Sequence, residues 1–134
     1  MSYLLDTNLV SEVMKPQPDS SVVAWLGKNE GDCFLSAITI GEIERGIALL
    51  PKGRKQIRLS DAFQAFSLEI EERVLGFDLA VARRWAAFTG RAQRQGRTLP
   101  VLDSMIEATA LHWNLTLVTS NVSDFFEAAT LNPS

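Results

Sequence analysis

Ser2-Tyr3-Leu4-Leu5-Asp6-Thr7-Asn8-Leu9-Val10-Ser11 joins two periodicities within ten residues. Tyr3 to Leu5 is a short apolar run of the kind a buried strand shows. Leu9, Val10, Val13 and Met14 then repeat at helical spacing. Three small polar residues lie between them, so the pattern predicts a strand feeding directly into a helix. Asp6 stands at the carboxyl end of that strand, the edge where open α/β sheets keep their ligand crevices. A second use is open to the same residues, because Asp, Thr and Asn all cap helix N-termini.

The strand-then-helix pattern recurs along the chain. Lys15-Pro16-Gln17-Pro18-Asp19-Ser20 is a turn, and Ser20 or Ser21 is expected to cap a short helix carrying Val22, Val23, Trp25 and Leu26. Cys33-Phe34-Leu35 reads as a second strand, and Ser36 as the hinge into a helix from Ile38 to Leu50 that Pro51 and Gly53 stop. Leu59, Ala62, Phe63, Phe66 and Ile70 mark an amphipathic helix from Arg54 to about Glu72. Val74-Leu75-Gly76-Phe77 is a third strand candidate. Asp78 is placed to cap a helix reaching Gln95, with Leu79, Ala82, Trp85, Ala86, Phe88 and Ala92 facing inward. A further helix opens near Asp103 and stops at Asn114. Leu115 to Thr119 is the fourth strand, and Ala129-Thr130-Leu131 a short edge strand. Alternating strands and helices imply crossover units, hence a single α/β domain over residues 1–134 with a parallel sheet of four to five short strands flanked by helices, an α/β/α sandwich.

Composition narrows the function. With 46% hydrophobic and 22% charged residues, the chain is ordinary for a globular fold. No basic n-region precedes Asp6, and no apolar run reaches the ~18 residues that a membrane span needs, so a cytoplasmic protein without membrane contact is expected. One cysteine, Cys33, and one histidine, His112, leave no zinc site of the usual spacing. Any metal must be held by oxygen. There is no G-x-S-x-G, no G-x-x-x-x-G-K-[ST] and no G-x-G-x-x-G. A net charge of −3 argues against binding duplex nucleic acid by bulk electrostatics. Basic residues nevertheless crowd at Arg83, Arg84, Arg91, Arg94 and Arg97, and again at Lys52, Arg54, Lys55 and Arg58. These are either solvated helix faces or contacts for RNA phosphates, for which Arg83, Arg84 and Arg91 are the candidates.

Four acids stand where a strand has ended or a helix begins: Asp6, Glu42, Asp103 and Asp124. On one edge of a parallel sheet they converge, and gathered carboxylates repel one another unless a divalent cation neutralises them. Oxygen ligation suits Mg²⁺, with Mn²⁺ able to substitute. Such an ion polarises a phosphodiester and lowers the pKa of water. Each acid also has a structural use. Thr39-x-x-Glu42 and Asn121-x-x-Asp124 match capping patterns, and Asp103 suits the positive end of a helix dipole. Glu107, four residues beyond Asp103, either looks into the same crevice or is exposed.

Leu4-Leu5-Asp6-Thr7-Asn8, the Gly41-Glu42 helix, Val101-Leu102-Asp103-Ser104-Met105-Ile106 and Leu117-Val118-Thr119-Ser120-Asn121-Val122-Ser123-Asp124-Phe125 together resemble the PIN-domain family, and within it the VapC toxins, including FitB-like members. The resemblance spans essentially the whole chain. It implies a Mg²⁺- or Mn²⁺-dependent endoribonuclease that serves as the toxin of a toxin–antitoxin module. By that likeness Asp6 and Asp103 are the metal carboxylates, Glu42 completes the acidic cluster, and Asp124 is the later acid of the last motif. Thr7, Asn8, Thr119 and Ser120 match positions that orient ligands or water. Asn121 departs from the pattern, since many relatives carry a fourth acid there. The likeness also implies a homodimer, a cognate antitoxin and an RNA substrate, with higher-order toxin–antitoxin assembly. Two other readings remain: a receiver-like phosphoacceptor domain, which would want a lysine that the stretch from Leu117 to Phe125 lacks, and a non-catalytic interaction module.

Overall fold

Leu4 and Leu5 are adjacent in sequence but serve opposite sides of one sheet, as the two-residue repeat of a strand requires. The computed structural model describes residues 1–134. Strand β1 (Tyr3–Leu5) pairs in parallel with β2 (Cys33–Ser36) on one side and β4 (Thr116–Val118) on the other. Beyond these lie β3 (Val74–Leu75) and β5 (Thr130–Leu131), giving a five-stranded, all-parallel sheet in the order β3-β2-β1-β4-β5. Six helices connect and cover it: α1 (Thr7–Val13), α2 (Ser20–Asn29), α3 (Ala37–Ala48), α4 (Arg54–Ile70), α5 (Leu79–Arg94) and α6 (Val101–Trp113). No helix is long and apolar enough to cross a membrane.

Both faces of the sheet are buried, which is why its strands are nearly continuous in apolar residues. Leu5, Leu35 and Val118 pack with Leu9, Val10, Ile43 and Phe63 from α1, α3 and α4. Leu4 and Leu117 pack on the other face with Ile106 and Ala110 of α6, and Phe125 closes that layer. A third cluster, Val81, Phe88 and Ala108, joins α5 to α6.

The order of strands fixes where a ligand can enter. The chain builds outward from β1 through β2 to β3, then returns to the other side of β1 to lay down β4 and β5. Direction therefore reverses between β1 and β4, and parallel sheets open a crevice at the carboxyl ends of such a pair. The Asp6 amide extends the ladder there, donating to the Val118 carbonyl at 2.9 Å.

Several local expectations are corrected. Asp19, not Ser20 or Ser21, caps α2, its Oδ1 accepting from the Ser21 amide at 2.8 Å. The third strand is only Val74–Leu75, because its partner β2 ends at Ser36, opposite Leu75, where the chain turns into α3 and leaves Gly76 and Phe77 nothing to pair with. The inner face of α5 holds Val81, Phe88 and Ala92, while Leu79 is 65% exposed. Helix α6 begins at Val101, so Asp103 lies inside its first turn. Ser36, the expected hinge, is the N-cap of α3, accepting from Ile38 N at 3.0 Å, and Asn114 ends α6 in the left-handed conformation at φ 53°.

Candidate functional site

Asp6 is placed by two neighbours that use different oxygens. Oδ1 accepts from the Thr7 amide at 2.8 Å as the N-cap of α1, and Oδ2 accepts from the Thr119 hydroxyl at 2.9 Å. The residue is only 4% exposed. Thr119 follows β4, the neighbour of β1, so its hydroxyl is delivered across the switch point. The same Thr119 oxygen accepts from Asn8 Nδ2 at 3.2 Å and from the Asn121 amide at 3.0 Å. One buried threonine thus ties α1 to the loop after β4.

Glu42 is reached from α3. With Ser36 as the cap, Thr39 and Glu42 both lie within that helix, so Thr39 is not a capping residue. Thr39 is fully buried, and the Thr7 hydroxyl, 3.2 Å from Thr39 Oγ1, donates to Glu42 Oε1 at 2.7 Å. Asp103 projects from the first turn of α6, whose neighbour Ser104 accepts from the Trp85 indole at 2.8 Å and so fixes α6 against α5. Asp124 closes an exposed 3-10 turn, Val122–Asp124, in which the Asn121 side chain makes no capping bond.

Asp6, Asn8, Asp103, Ser120 and Asn121 line one cavity of about 450 Å³ with no apolar side chain in its wall. Burial raises the pKa of Asp6, against the two hydrogen bonds that lower it, and the charges of Glu42 and Asp124 push it further in the same direction. For Asp103 burial again comes first, followed by the charges of Asp6, Glu42 and Asp124, and together they lift it to about 6. The charge of Asp6 thus opposes ionisation of Asp103. The charges of all four acids act on one another, but of these only Asp6 and Asp103 line the cavity, Glu42 standing in the adjoining groove.

They do not form a closed cage, since no three Asp, Glu, His or Cys side chains close on a common ligation point. A divalent ion of the Mg²⁺ type fits this arrangement, because such ions are commonly held by one or two carboxylates and keep several waters. Asp6 and Asp103 are the two acids of the cluster that border this wholly polar cavity, and positive charge between them would offset the burial and the repulsion that lift Asp103.

The arginines expected at an RNA surface are not brought to this cavity. Arg83 and Arg84 are exposed on α5, and Arg91 is paired with Glu127. Two residues outside the expected set hold the loop that follows β4. Glu107 is fully buried, neither exposed nor in the crevice, and its carboxylate accepts from the amides of Phe126, Glu127 and Ala128 at 2.6 to 3.1 Å. Arg97 donates to the carbonyls of Ser123 at 2.6 Å and Phe125 at 3.0 Å and lies over the Phe126 ring. For Glu107 a signal was present: it is the only charge within the otherwise uncharged run from Ser104 to Ala110.

The model of the PIN domain matches residues 3–131. The chain belongs to the PIN-domain family. Toxin FitB of Neisseria gonorrhoeae is 40% identical over 134 residues, which are 97% of this chain and 96% of that protein. VapC ribonuclease Y4jK of Sinorhizobium fredii is 34% identical over 131 residues, 96% of this chain and 93% of that one. The crystal structure of FitAcB from Neisseria gonorrhoeae superposes with a TM-score of 0.92 at 38% identity, covering 98% of this chain and 97% of that chain. This PIN domain thus resembles proteins named as toxins and ribonucleases along their full length.

Proposed function

We propose that this PIN domain is a Mg²⁺- or Mn²⁺-dependent endoribonuclease and the toxin of a toxin–antitoxin module. The observation that carries the reading is the pair Asp6 and Asp103 in one polar cavity at the sheet's switch point, with Glu42 and Asp124 close enough to oppose their ionisation. Asp6 and Asp103 would hold the cation. When bound, it supplies positive charge that stabilises a phosphodiester under attack and lowers the pKa of water.

The protein's own groups do the remaining work. Thr119 and the Thr7 amide fix both Asp6 oxygens, leaving one lone-pair direction on each free to face the cavity. Thr7 holds Glu42 through Oε1, which leaves Oε2 to take the proton of the attacking water as the phosphorus–oxygen bond to the leaving group breaks. Asn8, Ser120 and Asn121 offer neutral donors and acceptors that orient water or a phosphate oxygen without adding negative charge. Asp124 adds charge from the rim.

Relatives 40% and 34% identical to this chain are named a toxin, FitB, and a VapC ribonuclease. A small antitoxin that presents an arginine to Asp6 and Asp103 would compete with the cation through a charge-assisted fork. The protein would act as a homodimer, within a larger complex when silenced. The decisive experiment expresses Asp6→Asn and Asp103→Asn and measures cleavage of total RNA in Mn²⁺ together with growth arrest. Both variants are expected to be inactive; undiminished cleavage by both would refute the proposal. Sequencing the RNA ends left by the wild-type protein then identifies the target.

A further inference from the structure

A second groove, of about 780 Å³, opens beside the acidic cavity between α1, α3 and α4, and the two share Thr7, Ser11 and Lys15. Glu42 stands at the near end of this groove, and Lys55 and Arg58 line it as well. Lys55 and Arg58 are three residues apart on α4, so they occupy one face of that helix. Neither has a carboxylate within ion-pair distance, because the only ion pairs in the molecule are Lys15 with Glu12 and Arg91 with Glu127. Lys15 belongs to both cavities and is itself largely exposed.

This concentration of positive charge is local. The chain as a whole carries −3, so a polyanion gains little from its general surface and much from a groove where Lys55 and Arg58 stand unpaired and Lys15 holds only an exposed pair with Glu12. The groove also carries apolar wall at Met14, Pro16 and Leu59, aliphatic rather than aromatic, against which the apolar faces of unpaired bases can be buried. Its continuity with the acids sets a direction: a phosphate at Asp6 and Asp103 has neighbouring phosphates beside Lys15 and, further along, Lys55 and Arg58.

We propose that this groove carries the single-stranded RNA flanking the scissile phosphodiester, with Lys15, Lys55 and Arg58 binding its phosphates. The proposal rests on the nuclease reading above and moves the RNA path from the α5 arginines to the α1 and α4 side. The test uses the full chain in EDTA, with a fluorescein-labelled mixed-sequence single-stranded RNA, anisotropy as readout, and a series of salt concentrations. Each phosphate contact on a single strand contributes about −0.7 to the slope of log affinity against log salt. The triple variant Lys15→Gln/Lys55→Gln/Arg58→Gln is therefore expected to bind with a slope about 2 shallower than wild type, and the single variants Lys55→Gln and Arg58→Gln each about 0.7 shallower. The double variant Arg83→Gln/Arg84→Gln is expected to match wild type. An unchanged slope in the triple variant, or a shallower one in the α5 variant alone, overturns the groove whether or not the RNA is cut. Triple-variant binding equal to wild type, with loss only of silencing by a partner protein, overturns it also and makes the groove a protein site. Cleavage of the same RNA after adding Mn²⁺ reads the nuclease activity separately, and its absence in the wild-type protein overturns the reading on which the groove depends.

Discussion

Replacing Asp103 by Asn should stabilise the metal-free protein while abolishing its activity. Asp103 ionises at about 6 rather than at 3.8, so the folded state holds this proton more tightly than the unfolded chain does. Stability contributed by such a group is full below the unfolded value and is lost as pH rises through the folded one. Near neutrality the wild-type fold therefore carries a penalty. At ~1.4 kcal/mol per pKa unit the ceiling is ~3 kcal/mol, and for a carboxylate still partly open to solvent screening cuts this to ~1.5 kcal/mol. Asn also forfeits a favourable charge in the first turn of α6, returning ~0.5 kcal/mol. The net expectation is a gain of ~1 kcal/mol at pH 7.5, or ~3 °C in midpoint for a domain of this size. The assay is thermal unfolding in EDTA at pH 7.5 and pH 4, followed by the same scans with Mn²⁺. The gain should vanish at pH 4, and Mn²⁺ should stabilise the wild type but not the variant. A variant less stable than wild type at pH 7.5, or one whose advantage survives at pH 4, would refute the account of a repelling carboxylate site.

Thr119→Val keeps the shape of the side chain but removes the donor to Asp6 Oδ2 and the acceptor for Asn8 and Asn121. A loss of ~1 to 3 kcal/mol in urea unfolding is expected, with RNA cleavage reduced at least tenfold; wild-type stability would refute the role of this hydroxyl as a tie. Glu107→Ala leaves the amides of Phe126, Glu127 and Ala128 without their buried partner. It should cost ~3 to 5 kcal/mol and speed amide exchange at those three positions first; a cost below ~1 kcal/mol would contradict the assignment. Asp6→Ser retains a helix cap and Asp6→Ala does not, so Ala should be ~1 kcal/mol the less stable of the two while both are inactive in cleavage.

What the sequence revealed followed from local rules, and what it hid followed from tertiary ones. Tyr3 to Leu5, Ser36 and Asn114 announce themselves because strand period, N-cap chemistry and tolerance of the left-handed conformation each act within a few residues. The choice of Asp19 over Ser20 is also local, but three adjacent capping residues compete and only the observed geometry selects one. The inner face of α5 could not be set from periodicity alone, since Leu79 and Val81 are both apolar and it is contact with α6 that buries Val81. Glu107 and Arg97 escaped because their partners are backbone groups of the loop 123–128, and main-chain amides and carbonyls carry no sequence label. The convergence of Asp6, Glu42 and Asp103 was inferable only through topology, as the product of parallel strands placing their carboxyl ends together.

The alternative between a cap and a site at Asp6 dissolves in the geometry. A carboxylate has two oxygens with several lone-pair directions, and a cap occupies one of them. Oδ1 closes the first turn of α1, Oδ2 is held by Thr119 just beyond β4, and the group still borders the polar cavity. Capping therefore fixes the position of Asp6 relative to α1, while Thr119 fixes it relative to β4, the two elements between which the crevice opens. A serine cap would have to bring one oxygen to both donors, whereas the carboxylate meets each donor with an oxygen of its own. The same reasoning extends to Glu42, whose one oxygen is engaged by the Thr7 hydroxyl directly after Asp6. Two consecutive residues at the end of β1 thus orient acids from two segments of the chain, so rigidity in the first turn of α1 is what preorganises the site.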